Sequence, residues 1–154
     1  VTDALTIGLL SAIPFGAAVI GMLLVARSAD KRGERRWHIA IPAAVGAFGL
    51  VVSVVWSTNT PMAMLGLTLA TMGILTTLPL FWSLPTAFLA GTGAAAGIAM
   101  INSLGNLAGF LSPYLVGWLK QATASNASGM YMLAAFMVLG GLLALSVPKR
   151  MVNR

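Results

Sequence analysis

Between residues 27 and 38 the chain reads Arg27-Ser-Ala-Asp-Lys-Arg-Gly-Glu-Arg-Arg-Trp-His38. This basic segment holds five of the chain's nine Lys and Arg residues and two of its three acids, and long apolar runs flank it on both sides. Basic residues near the end of a membrane span resist translocation, so such a segment is typical of a loop on the cytoplasmic side of a membrane. Its position orients every other segment of the chain.

The composition is that of an integral membrane protein surrounded by a lipid bilayer. Hydrophobic residues make up 58% of the chain and charged residues only 8%, whereas soluble domains carry about 25% charged residues. The net charge of +6 would also suit a nucleic-acid partner. However, eight of the nine basic residues lie in the basic segment or after residue 147, where membrane topology places them. We therefore expect no nucleic-acid partner.

Five apolar runs are long enough to cross a membrane, since a helical span needs about 20 residues. They cover residues 4–26, 39–56, 62–89, 94–119 and 130–147. The pattern predicts an all-α membrane protein with five transmembrane helices, a cytoplasmic loop at 27–38 and a cytoplasmic tail at 148–154. Because five is an odd number, the N-terminus then lies outside and the C-terminus inside. A chain with this topology looks like the last part of a longer protein.

Enzyme chemistry and metal binding are not expected. The chain has no cysteine and a single histidine, and its three acids, Asp3, Asp30 and Glu34, all lie outside the predicted spans. No set of nucleophile, base and acid and no cluster of metal ligands can be assembled from these residues, and no cofactor is indicated. His38 is expected at the membrane interface. A proton relay normally needs a carboxylate within the membrane, so any coupling acid would lie on another part of the protein.

The fourth apolar run carries glycines at multiples of four residues. Gly93, Gly97, Gly105, Gly109 and Gly117 form a stripe along which a neighbouring helix can approach closely. We interpret this stripe as a packing surface.

Two amides interrupt the same run. Asn102 and Asn106 are four residues apart and therefore share a helical face. An unpaired amide in hydrocarbon is unfavourable, so each must face protein or a wet cavity. Hydrogen bonds that only hold helices together are one interpretation, and a polar binding pocket is the other.

An aromatic side chain is predicted at a similar depth on the preceding helix. Trp82 and Asn102 would both lie roughly 10–12 Å from the cytoplasmic side, at 1.5 Å rise per residue. Ser83 and Ser103 add hydroxyl groups nearby, and Pro79 and Pro85 bend or break the third run. A polar pocket between the two helices is one interpretation. An interfacial anchor for Trp82 and kinks without function remain open.

Two segments carry a family resemblance. Residues 21–36, with Gly21, Asp30, Arg32, Gly33, Arg35 and Arg36, resemble the loop motif that joins helices in major facilitator superfamily transporters, although the spacing between Gly21 and Asp30 is stretched. Residues 81–120, from Phe-Trp-Ser-Leu-Pro through Ile-Asn-Ser-Leu-Gly-Asn to Gly-Trp-Leu-Lys, resemble helices 10 and 11 of the anion:cation symporter branch. That branch includes bacterial tartrate, sugar-acid, phthalate and hydroxyphenylacetate carriers.

The resemblance implies that the chain is helices 8–12 of a 12-helix fold, without helix 7 and the N-terminal half. It implies proton-coupled symport of a small organic anion, such as tartrate, a sugar acid or an aromatic acid, across the bacterial inner membrane. Trp82 and Asn102 would match the family's substrate contacts, with Ser83, Ser103 and Asn106 beside them. The six loop residues would form a gating cluster. The alternative is a non-transporting membrane fragment or a protein that packs against other helices.

Overall fold

The computed structural model describes residues 3–152, apart from the side chain of Thr92. Within this range the chain forms six helices and no strand. The helices are α1 (Ala4–Arg32), α2 (Arg36–Val55), α3 (Thr60–Phe88), α4 (Gly91–Thr123), α5 (Ala127–Ser146) and the short α6 (Lys149–Val152). The first five are long and apolar enough to cross a membrane. The prediction of an all-α membrane protein with five spanning helices is confirmed.

The predicted loop at residues 27–38 is wrong in its extent. Helix α1 continues to Arg32 and α2 begins at Arg36, so only residues 33–35 connect them. Gly33 ends α1 with a φ of 59°, and its N–H donates to the carbonyls of Ala29 and Asp30. Hydropathy marks where apolar sequence ends, whereas Lys and Arg continue a helix readily. The charged residues therefore extend the helix beyond the apolar run.

Two other predicted polar segments are also partly helical. Helix α4 continues to Thr123, past the predicted end at residue 119. The tail predicted at 148–154 contains α6, and its residues 153 and 154 lie outside the described part of the chain. Val152 of α6 is 0% exposed and shares a packed cluster with Ala29, Ile39, Leu80, Leu84 and Ala144. The tail is thus folded against the ends of the spanning helices.

Helix α2 lies at the centre of the bundle, packed against both α3 and α5, and α1 packs mainly against α3. Glycines let α2 and α3 approach closely. A Cβ at Gly49 would lie 2.4 Å from the backbone nitrogen of Ala70, and one at Gly73 would lie 2.4 Å from that of Gly46. Small residues at such a crossing are typical of membrane helices, whose association depends on close van der Waals packing.

Helix α4 lies at the edge of this bundle. Between Gly93 and Thr123 none of the described side chains is buried, and α4 touches mainly α5. A Cβ at Gly93, Gly105, Gly109 or Gly117 would meet no described atom within 4 Å. The predicted packing along this stripe is therefore not made within residues 3–152. The closely packed glycines lie on α2 and α3 instead, because a small-residue spacing identifies a flat face but not its partner.

Candidate functional site

The turn between α1 and α2 is closed by the side chain of Glu34. Its carboxylate accepts hydrogen bonds from the backbone N–H of Arg36 at 3.1 Å and of Trp37 at 3.0 Å. The first N–H groups of a helix have no partner within the helix, so a carboxylate at this position satisfies them and favours the positive end of the helix dipole. Glu34 therefore fixes where α2 begins.

His38 connects this turn to α1. Its Nδ1 lies 3.0 Å from Oε2 of Glu34, and its Nε2 lies 3.0 Å from the hydroxyl oxygen of Ser28. In a neutral ring, donation from Nδ1 to the carboxylate leaves Nε2 to accept from the serine. The sequence predicts His38 at the membrane interface but does not predict this network. The spacing of four between Glu34 and His38 is the signal that indicates it.

The two adjacent arginines of the turn reach the ends of two other helices. Nη1 of Arg35 donates to the carbonyl oxygen of Ser83 at 3.3 Å, near the end of α3. Nη2 of Arg36 donates to the carbonyl oxygen of Leu145, in the last turn of α5. The carbonyl of Leu145 is in the last turn of α5, where it has no partner within the helix and belongs to the negative end of the helix dipole, so a guanidinium there is favourable. The turn thereby joins α1, α2, α3 and α5 at one end of the bundle.

The other residues of the predicted loop motif do not take part in these helix-to-helix hydrogen bonds. Gly21 is buried in the middle of α1, where an added Cβ would lie 2.7 Å from Cγ of Met72 on α3. Asp30 and Arg32 are exposed on the last turns of α1. The structure thus brings Gly33, Arg35 and Arg36 together, places Asp30 and Arg32 beside them on the surface, and uses Gly21 for helix packing.

On α3, the predicted substrate residues lie near the end that carries this junction. Trp82 is half-buried and packs edge-to-face on Phe81, with ring centroids 5.5 Å apart. The Ser83 hydroxyl donates to the carbonyl of Leu80 at 2.6 Å, and the Thr86 hydroxyl donates to that of Trp82 at 3.0 Å. Both hydroxyl hydrogens are therefore engaged within the helix, and their oxygens remain able to accept.

On α4, the predicted substrate residues are all exposed. The side chains of Asn102, Ser103 and Asn106 form no hydrogen bond with the rest of residues 3–152. Since α4 begins at Gly91, Asn102 lies about 17 Å along it, whereas Trp82 lies about 9 Å before the end of α3, at about 1.5 Å per residue. The two side chains thus differ in depth by about 8 Å on the same estimate, and the expected matching of their depths does not hold.

A cavity of about 390 Å³ opens between α2, α3 and α5. Its lining is almost wholly apolar and includes Phe81, Leu84, Phe136 and Met137. None of the five predicted substrate residues lines it. Its chemistry suits hydrocarbon and offers no group that would bind an anion.

Comparison with known proteins shows what these helices are similar to. The chain is 40% identical over 99% of its length to a putative tartrate transporter of Agrobacterium vitis, covering 34% of that protein. It is 38% identical over 100% of its length to the putative metabolite transport protein NicT of Pseudomonas putida, covering 35% of it. It is also 38% identical over 90% of its length to the inner membrane transport protein RhmT of Escherichia coli, covering 32% of it.

Over almost its whole length the chain is thus similar to a part of these membrane transporters. The resemblance to major facilitator carriers of organic anions is confirmed by these relatives, and transport rather than enzymatic catalysis is what their names describe. The chain spans about a third of the length of these relatives. No family model and no solved structure matches the chain.

Proposed function

We propose that the chain is the C-terminal part of a proton-coupled symporter that moves a small organic anion by alternating access. The observation that carries this proposal is the similarity over almost the whole chain to a putative tartrate transporter. A hydroxylated carboxylate such as tartrate or a sugar acid is the proposed substrate, with an aromatic acid as the second choice. The remaining two thirds of the carrier, including its N-terminal half, would supply the other wall of the pathway.

Asn102 and Asn106 are the proposed hydrogen-bonding groups for the substrate. Their amides are exposed on an otherwise apolar spanning helix, and an amide in hydrocarbon requires a polar partner. Asn102 would donate to and accept from substrate hydroxyls, with Ser103 beside it. Because helix α4 has an open face, the rest of the carrier can approach these side chains and complete the pocket.

Trp82 is proposed to pack against the carbon skeleton of the substrate from α3. Its ring is half-buried and held by Phe81. The calculated difference in depth places Trp82 nearer the junction end than Asn102. We therefore propose that a bound substrate extends along the helix axis, with Trp82 and the oxygen of Ser83 at one end and the amides at the other.

Proton coupling is proposed to depend on acids outside this chain. Asp3 accepts hydrogen bonds from the first turn of α1, Asp30 is exposed on the last turns of α1, and Glu34 lies in the turn before α2. None of the three lies in the middle of a spanning helix. Dissipating the proton gradient should stop uptake, while substitution of Asp3 by Asn should leave the coupling intact.

The proposed residues are tested by uptake of radiolabelled tartrate and sugar acids into cells that express the complete carrier. We expect Asn102→Ala and Trp82→Ala each to lower uptake about five- to thirtyfold, since a lost hydrogen bond to substrate or a lost aromatic contact is worth about 1–2 kcal/mol. Asn126→Ala and Trp118→Ala are the matched controls, because both residues are exposed and Asn126 lies in the turn before α5. Undiminished uptake in both test variants, at equal protein level, would refute the assignment.

A further inference from the structure

A second surface lies at the junction end of the bundle, outside the proposed pathway. Five exposed cations belong to it, three on the last turns of α1 and two on α6: Arg27, Lys31, Arg32, Lys149 and Arg150. We call these five side chains the basic surface. Arg27 and Lys31 are four residues apart and so lie on one face of α1.

Packing fixes α6 at the end of the bundle where α1 also ends. Val152 of α6 is fully buried in the same cluster as Ala29 of α1. Helix α6 packs mainly against α3, so residues 149 and 150 are fixed at the same end of the bundle as the last turns of α1 and do not belong to a free tail. Within the described part of the chain none of the five cations forms an ion pair or a side-chain hydrogen bond. Asp30 is the one exposed acid among them, which leaves a strong excess of positive charge.

The depth of this surface is that of the lipid headgroups. It begins where the apolar part of α1 ends, and Trp37, on the first turn of α2, is 52% exposed at the same end. Tryptophan is enriched at the boundary between hydrocarbon and headgroups. Clusters of four to eight Lys and Arg residues at the end of a spanning helix attract anionic lipids, each cation contributing to the affinity.

We propose that the basic surface binds the phosphate groups of anionic phospholipids. The occupant is a lipid, because the cations project at headgroup depth beside exposed apolar helix surface that contacts acyl chains. Bound headgroups would neutralise Lys31 on α1 and residues 149 and 150 on α6. This role is independent of the substrate that the carrier moves.

The test is titration of the purified full-length protein in detergent with fluorescent phosphatidylglycerol, with phosphatidylcholine of the same acyl chains as reference. We expect tighter binding of phosphatidylglycerol, weakened by salt. The triple variant Lys31→Gln, Lys149→Gln, Arg150→Gln should lose at least about tenfold in that affinity, since each cation near the surface is worth about fivefold. The triple variant Lys31→Arg, Lys149→Arg, Arg150→Lys should bind like the starting protein, which separates loss of charge from loss of folding.

Lys120→Gln is the matched control. Lys120 is an exposed lysine near the C-terminal end of α4. This end of α4 packs beside the start of α5, where Val116 contacts Gly129. Its removal should leave lipid binding unchanged. Equal affinity for the two lipids, an unchanged triple Gln variant, or an equal loss in Lys120→Gln would overturn the proposal. Displacement of the lipid by water-soluble glycerophosphate at low millimolar concentration would also overturn it, because the site would then take a free phosphate ester.

Discussion

At the scale of single residues, Glu34 has the most connections in the junction. It accepts from two backbone N–H groups of α2 and also holds His38, which reaches Ser28 on α1. A residue of this kind acts on the start of one helix and on the contact between two helices at once. From the sequence, Glu34 is only one of the acids outside the predicted spans, because composition gives its charge and not its capping position.

Glu34→Ala should therefore destabilise the protein. Loss of a helix-capping side chain costs about 0.5–2 kcal/mol, and His38 loses its carboxylate partner in addition. Asp30→Ala is the matched control, since Asp30 is exposed and its side chain makes no hydrogen bond within residues 3–152. Thermal unfolding in detergent, followed by tryptophan fluorescence, measures the difference. Equal melting temperatures for the two variants would contradict the capping role.

At the scale of helices, the sequence was sufficient for the number and type of elements and insufficient for their neighbours. Five apolar runs become five helices because a backbone in hydrocarbon must satisfy its hydrogen bonds internally. Which helices touch depends on surface shape. Gly49 in α2 and Gly73 in α3 do not belong to a regular glycine repeat, yet they lie at the closest contact of the bundle. The regular glycine stripe on α4 faces no described neighbour.

For the proposed substrate residues, too, the sequence does not predict which parts of the protein surround them. Asn102 and Asn106 could be singled out because an amide in an apolar run is unusual whatever surrounds it. The proposed pocket needs a second wall, and the exposed side of α4 shows that residues 3–152 do not supply one. The depth of Asn102 was also misjudged, because α4 begins at Gly91 and not at residue 94.

Alanine substitutions at glycines distinguish the packed surface between α2 and α3 from the open face of α4. In Gly49→Ala the new methyl group would meet the backbone of α3 at 2.4 Å, and backbone cannot move aside without parting the helices. We expect a fall in the yield of folded protein and in the melting temperature, by several degrees or more. In Gly105→Ala the methyl group meets no described atom within 4 Å, and alanine favours helix by about 1 kcal/mol.

The comparison uses the isolated chain of 154 residues. The stability of Gly49→Ala and Gly105→Ala is measured by size-exclusion chromatography and thermal unfolding. The expected order of stability is Gly105→Ala at or above the parent, and Gly49→Ala clearly below it. If Gly49→Ala were as stable as Gly105→Ala, then α2 and α3 would not be in backbone contact, and the central packing of the bundle described above would be wrong.

At the scale of the whole molecule, the positive charges and the helix contacts point to the same orientation. The ends of α3 and α5 meet the turn between α1 and α2 through Arg35 and Arg36, so these segments share one side of the membrane. Basic residues are retained in the cytoplasm. We therefore propose that the junction end is cytoplasmic and that the turns before α3 and α5 face outward.

The absence of cysteine from the sequence makes this orientation testable with single cysteines. Thr58→Cys, in the turn between α2 and α3, should react with a membrane-impermeant maleimide in intact cells. Ser146→Cys, at the end of α5, should react only after the membrane is permeabilised. Both side chains are exposed, so their intrinsic reactivity is comparable, and labelling of both in permeabilised cells is the internal control. Labelling of Ser146→Cys in intact cells would reverse the orientation, and the basic surface would then face the outer leaflet.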